Sequence, residues 1–91
     1  MIRSFAHRDV ERLFQDQSVR RFQAYERVAR RRLLLLNQAR SLHDLRGPGL
    51  RLEALKRERQ GQHSIRINQQ YRVCFVWKNG DAHDVDIVDY H

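Results

Sequence analysis

Asp89, Tyr90 and His91 set a carboxylate, a phenol and an imidazole side by side at the end of a strand-like run from Asp84 to Tyr90. All three can move protons, and a strand would hold them in place. An unperturbed imidazole titrates near about pH 6.5, so His91 can give or take a proton close to neutrality. The same tripeptide also reads as a frayed polar terminus. What favours chemistry is the rest of the chain, which is dense in arginine. Guanidinium forks suit phosphate oxygens and stack on bases. Proton transfer beside polyanion binding points to RNA cleavage without a metal, since RNA carries its own nucleophile in the 2′-OH.

Arg72 is the second chemical candidate. It alternates with Tyr71, Val73 and Phe75 on a strand pattern, so it leaves the sheet by the opposite face. It is either a solvated surface cation or a rigidly held one, suited to transition-state phosphate. Lys56, Arg57 and Arg59 form a charged run with Glu53 and Glu58. Such a run reads as a solvated loop or as a loop that grips phosphate. His7, His43, His63, His83 and His91 lack ligand spacing, so no zinc site is expected. Asp81, Asp84, Asp86 and Asp89 could hold Mg²⁺ as in a two-metal nuclease. Asp84 and Asp86, however, alternate with Val85 and Ile87 as solvent-facing strand charges do, and no metal or other cofactor is expected.

The elements that must position these groups follow from periodicity. A short strand is expected at Ile2 to Phe5 and a first helix near Asp9 to Gln15, capped by Asp9, with Val10, Leu13 and Phe14 inward. A second helix is expected from about Val19 to Leu42, capped by Ser18. Its inner stripe is Phe22, Tyr25, Val28, Ala29, Leu35, Leu36, Ala39 and Leu42. Its outer face carries Arg20, Arg27, Arg30, Arg31 and Arg40. Gly47-Pro48-Gly49 ends the helical half. After it the period falls to 2: Leu50 and Leu52 alternate with Arg51 and Glu53, a strand covers Ser64 to Ile67, and Asn68-Gln69-Gln70 makes a polar turn. Another strand runs through Tyr71 to Lys78, and Asn79-Gly80 signals a type I′ hairpin. Helices followed by an antiparallel meander make an α+β fold.

With 91 residues the chain has room for one domain, residues 1–91, with a modest core. No apolar stretch approaches the roughly 20 residues of a membrane span. Arg3, His7 and Arg8 interrupt any apolar leader, and the lone Cys74 sits in a strand pattern as a small core residue. A cytoplasmic setting is therefore expected. The net charge of +7 is uneven: residues 1–59 carry 15 basic and 7 acidic side chains, residues 60–91 carry 3 and 4. Of the 18 cations 16 are arginine, which favours nucleic acid over a membrane surface.

Read together, Met1 to Phe5, Arg51 to Lys56, Gly61 to Arg66, Gln70 to Phe75, Gly80-Asp81-Ala82 and Val88 to His91 resemble the RelE superfamily of toxins, in particular HigB-type mRNA interferases of toxin–antitoxin systems. The resemblance spans nearly the whole chain. It implies a RelE-like microbial RNase fold, two N-terminal helices packed on a small antiparallel sheet. It further implies ribosome-dependent, metal-independent cleavage of translated mRNA in the A site, which inhibits translation and growth. Site positions of the family fall on Glu53, Lys56, Arg72, Asp89, Tyr90 and His91. Some members have a histidine at Glu53 and a proline at Ala54, which leaves the general base open. The implied partners are the 70S ribosome with mRNA and a HigA-like helix-turn-helix antitoxin, through which any DNA contact would be indirect. Arg20, Arg27, Arg30, Arg31, Arg40, Arg57 and Arg59 are the expected contacts to RNA and ribosome. The rival expectation is a non-catalytic basic module that binds ribosome or RNA.

Overall fold

The structure, a computed structural model, describes residues 1–89. The N-terminal segment adds to the far edge of the sheet through two parallel bridges, Ile2 to Ala82 and Phe5 to Val85. Helix α1 spans Arg8–Phe14 and is preceded by His7 as N-cap, with Asp9 already inside its first turn. Val10 and Leu13 are its buried residues.

The long helix expected over 19–42 is divided. A 3-10 helix covers Arg20–Tyr25 behind Val19, which has no side-chain cap, so Ser18 does not fill that role. Helix α2 runs Glu26–Gln38. Tyr25 leaves helical geometry at φ −136°, where its ring stacks on Tyr71 at 4.3 Å. Ala39 turns extended at ψ 137° and ends α2. A separate 3-10 turn, Leu42–Leu45, follows under a capping box of Ser41 and Asp44, and it buries Leu45. Arg40 therefore lies beyond α2.

Strands β1 (Glu53–Ala54), β2 (Gln62–Arg66), β3 (Tyr71–Lys78) and β4 (Asp81–Asp89) form one antiparallel sheet in the order β1-β2-β3-β4. Asn79 and Gly80 have φ of 53° and 79°, the two positive values a type I′ turn needs. Asn68 Oδ1 accepts from the backbone N–H of Gln70 and Tyr71, each at 2.8 Å, and closes the β2–β3 turn.

Each face of the sheet has its own purpose. Ile65, Val73, Phe75, Val85 and Ile87 pack with Val10, Leu13, Phe22, Ala29, Leu33 and Leu36 of the helical layer into one core. The register then sends Glu53, Ser64, Arg72, Cys74 and Asp86 to the other face, as the cross-strand pairs Glu53 to Ser64, Ser64 to Cys74 and Cys74 to Asp86 show. A bulge between Cys74 and Val76 places Asp84 at φ 53°. No helix of the described residues is long and apolar enough to cross a membrane.

Candidate active site

Arg72 stands on that second face near the start of β3 and is only 8% exposed. Its Nε donates to Ser64 Oγ at 2.7 Å, and its Nη2 donates to the carbonyl of Arg51 and, at 3.4 Å, to that of Ser64. Glu53 Oε2 stands 3.8 Å from Nη2. The guanidinium is thus clamped by neighbours on β1, β2 and the segment before β1. It is neither a loose surface cation nor a core residue. A buried, bonded fork of this kind presents charge without reorganising.

Arg72 also lines a cleft of about 400 Å³ with Arg51, Arg66, Asn68 and Gln69. Arg66 Nε donates to the carbonyl of Asn68 at 3.0 Å, which fixes it at the lip. Arg51 has φ 46°, a left-handed conformation costly for a residue with a side chain, and this conformation accompanies the carbonyl's bond to Arg72. Sequence reasoning missed Arg51 and Arg66. Their alternation with apolar neighbours made them look like ordinary strand surface; the register of β2 and β3 pairs Arg66 with Arg72, and the bond from the Arg66 N–H to the Leu50 carbonyl brings Arg51 alongside.

Asp89 leaves β4 opposite Tyr71, on the helix-facing side, whereas Arg72 pairs with Val88 on the other. Gln70 Nε2 donates to Asp89 Oδ2 at 2.9 Å and reaches Tyr71 Oη at 3.3 Å. Tyr25, stacked on Tyr71, has its phenol pushed up to about 12, first by burial, then by Tyr71, with Asp89 adding in the same direction. Asp89 therefore belongs to a polar and aromatic brace at the end of the sheet. Tyr90 and His91 lie outside the described residues.

Lys56 is exposed and precedes a 3-10 turn, Arg57–Arg59, in which Arg57 takes φ 59° and Arg59 Nη1 donates to Gln62 Oε1 at 3.1 Å. Arg20, Arg27, Arg31 and Arg40 are exposed. Arg30 differs from the other outer arginines. It donates to the carbonyls of Leu13 and Gln17, each at 3.1 Å, and to Glu26 Oε1 at 3.0 Å, so it ties α2 to the end of α1.

The four aspartates do not gather. Asp81 pairs with Arg3 at 3.0 Å and with the N-terminal ammonium at 3.2 Å, and the Arg3 hydrogen bond is the main reason its carboxyl sits below the ordinary value. Asp84 exchanges hydrogen bonds with Ser4. Asp86, expected to face solvent, is buried instead, accepts from the backbone of Ile87 at 2.8 Å and has His7 Nε2 at 3.8 Å. Among the described residues no three His, Cys, Asp or Glu side chains group as metal ligands. Cys74 is buried, but beside Ser64 and Asp86 rather than in the main core. Burial pushes its thiol up to about 11, with Arg59 and Arg72 pulling the other way.

A family model described as RelE-like toxin of type II toxin–antitoxin system HigB matches residues 3–91. The chain is 32% identical over 93 residues to Endoribonuclease HigB of Proteus vulgaris, covering 100% of both chains. It is 35% identical over 85 residues to Toxin HigB-1 of Vibrio cholerae serotype O1, covering 90% of each.

Proposed function

Because this chain belongs to the HigB-like family of RelE-like toxins of type II toxin–antitoxin systems, we propose that it is an endoribonuclease that cuts mRNA in the ribosomal A site and so arrests translation. The observation that carries the reading is the clamped guanidinium of Arg72 in a cleft whose other cations are Arg51 and Arg66. Three positive charges around one opening, two of them held by hydrogen bonds, suit a phosphodiester far better than a neutral ligand.

In the proposed reaction the 2′-OH of one nucleotide attacks the adjacent phosphorus, and the P–O5′ bond breaks. The products are a 2′,3′-cyclic phosphate and a 5′-OH. Glu53, whose Oε2 is 3.8 Å from Arg72 Nη2, accepts the 2′ proton in this proposal. His91 donates a proton to the departing 5′ oxygen. Arg72 and Lys56 stabilise the extra negative charge on the phosphorane-like transition state. Asp89 orients His91 or a base of the codon, and Tyr90 stacks on a base or supplies a proton. Alignment of the 2′-OH comes in part from the ribosome, and such alignment is worth up to about 7–11 kcal/mol in favourable cases. Arg20, Arg27, Arg31, Arg40, Arg57 and Arg59 grip ribosomal or messenger phosphates, whereas Arg30 serves mainly to join the helices. The cognate partner is a helix-turn-helix antitoxin of the HigA kind, and the setting is the cytoplasm.

The test is induced expression of the wild type and of His91→Ala, with mapping of mRNA 5′ ends. Cuts locked to the reading frame are expected from the wild type and none from the variant. Cleavage that persists in the variant removes His91 from the chemistry. Growth arrest and ribosome binding with no cuts from the wild type would establish the rival reading, a non-catalytic ribosome-binding module.

A further inference from the structure

A second, larger cleft of about 540 Å³ opens between the Leu42–Gly49 segment and β1. Its lining includes Leu42, Arg46, Arg51, Leu52 and His63. Ala54 and His63 belong to the helix-facing side of the sheet and Arg66 and Arg72 to the other, so the two clefts open on opposite faces and meet at Arg51, which lines both beside the edge strand. Among the described residues the combined lining of the two clefts holds Arg46, Arg51, Arg66 and Arg72 and no carboxylate, the Glu53 carboxylate standing just behind it at 3.8 Å from Arg72 Nη2. In a chain with 11 acidic residues such a lining is a directional charge pattern, and it describes a path for a polyanion. Each volume falls within the roughly 300–1,000 Å³ that seats a small ligand.

The composition of the larger cleft is specific to a nucleotide rather than to phosphate alone. Leu42 and Leu52 are half-buried apolar walls, and the His63 ring, which packs against Phe75 at 6.3 Å, provides an aromatic one. Unstacked RNA bases are recognised on such surfaces. Gly49, at φ 80°, has nothing within 4 Å of where a Cβ would stand, so backbone approaches the opening without a side chain in the way. Arg46 and Arg51 both line this cleft and supply cations for phosphates beside a seated base.

We propose that single-stranded RNA rounds the edge of the sheet at Arg51, so that the two clefts serve as one trough in which the larger seats a nucleotide flanking the scissile phosphodiester and Arg46 holds its far phosphate. This rests on the ribonuclease reading, and it adds Arg46, Arg51, Leu52 and His63 as substrate-binding residues outside the reacting group. An acidic segment of a protein partner is the competing occupant. Paired arginines with apolar walls would accept it, but the arginine shared with the cleft at Arg72 favours RNA.

The test uses the full chain and a short single-stranded RNA oligonucleotide with 2′-O-methyl groups, which removes the nucleophile and blocks cleavage. The oligonucleotide is titrated into isotope-labelled protein, and backbone amide shifts are followed. Shifts are expected at Gly47, Gly49 and Leu52 as well as at Arg66 and Asn68. Arg46→Ala should weaken binding about tenfold and lower the salt slope by about one, and Arg46→Lys should restore the slope. Cleavage by Arg46→Ala on ribosomes should show a raised KM and an unchanged kcat. Shifts confined to Arg66 and Asn68, or an unchanged affinity in Arg46→Ala, overturn the trough while leaving the ribonuclease intact. Loss of antitoxin binding in Arg46→Ala with RNA binding preserved overturns it in favour of a protein occupant. A wild type that never cuts mRNA but binds the oligonucleotide across both clefts removes the enzymatic reading and upholds the trough.

Discussion

At the scale of single residues, Arg72 joins structure to chemistry. Its fork meets Ser64 Oγ and the Arg51 carbonyl at once, a geometry a single ammonium cannot copy. Arg72→Lys is therefore expected to keep the fold and lower mRNA cleavage by about 10²–10³-fold, the usual effect of losing one preorganised transition-state donor. Near wild-type cleavage in that variant would remove Arg72 from the reaction. Cys74 makes the opposite case, a group whose environment silences it. With its thiol pushed to about 11 by burial, it stays protonated through neutral pH. A disulfide reagent near pH 8 should leave the folded protein unmodified and react at once after unfolding in urea. Rapid modification of the folded protein would contradict that burial. Arginine and cysteine alike were visible in the chain, but their surroundings were not, because Ser64 and Asp86 meet them only across the sheet.

At the scale of elements, the helical layer was harder to read than the strands. The Leu33–Leu36 run is apolar at every position, so the phase of α2 cannot be taken from it. Leu33 and Leu36 turn inward, Leu35 is half-buried, and Leu34 remains 47% exposed. The break at Tyr25 was equally hidden, since its stack on Tyr71 spans distant parts of the chain. Arg30 shows how α2 is joined to α1. It bonds carbonyls at and just beyond the C-terminal end of α1, where the negative end of the helix dipole favours a cation. Arg30→Ala should cost about 1–2 kcal/mol of stability, read from the urea midpoint, whereas Arg27→Ala should cost almost none. Equal stabilities for the two variants would show that the Arg30 contacts carry no weight. The strands came through more clearly: alternation and the Asn79-Gly80 turn define β3 and β4 locally, with the bulge at Asp84 as the exception.

At the scale of the whole molecule, the surplus of cations in residues 1–59 is distributed over two regions with different roles. Arg3, Arg12, Arg21 and Arg30 have acidic partners, while no carboxylate of the described residues lies within ion-pair reach of Arg27 or Arg31. Screening acts on exposed charges, so these two should appear in the salt dependence of ribosome binding. Replacing both should flatten the slope of log K against log salt by about two and leave the pattern of cut sites unchanged. An unchanged slope would mark them as solvated surface.

The α+β class, the order of helices before sheet, the type I′ hairpin and the supply of arginines and proton-transfer groups were legible in the chain itself. Each depends on local periodicity, turn chemistry or residue type, and local interactions decide those. The clamp on Arg72, the place of Arg51 in the linings of both clefts, and the assignment of Asp89 to the Tyr71 side of the sheet were decided only in three dimensions. They depend on strand register and on the left-handed turn at Arg51, which long-range packing sets and no local spacing encodes.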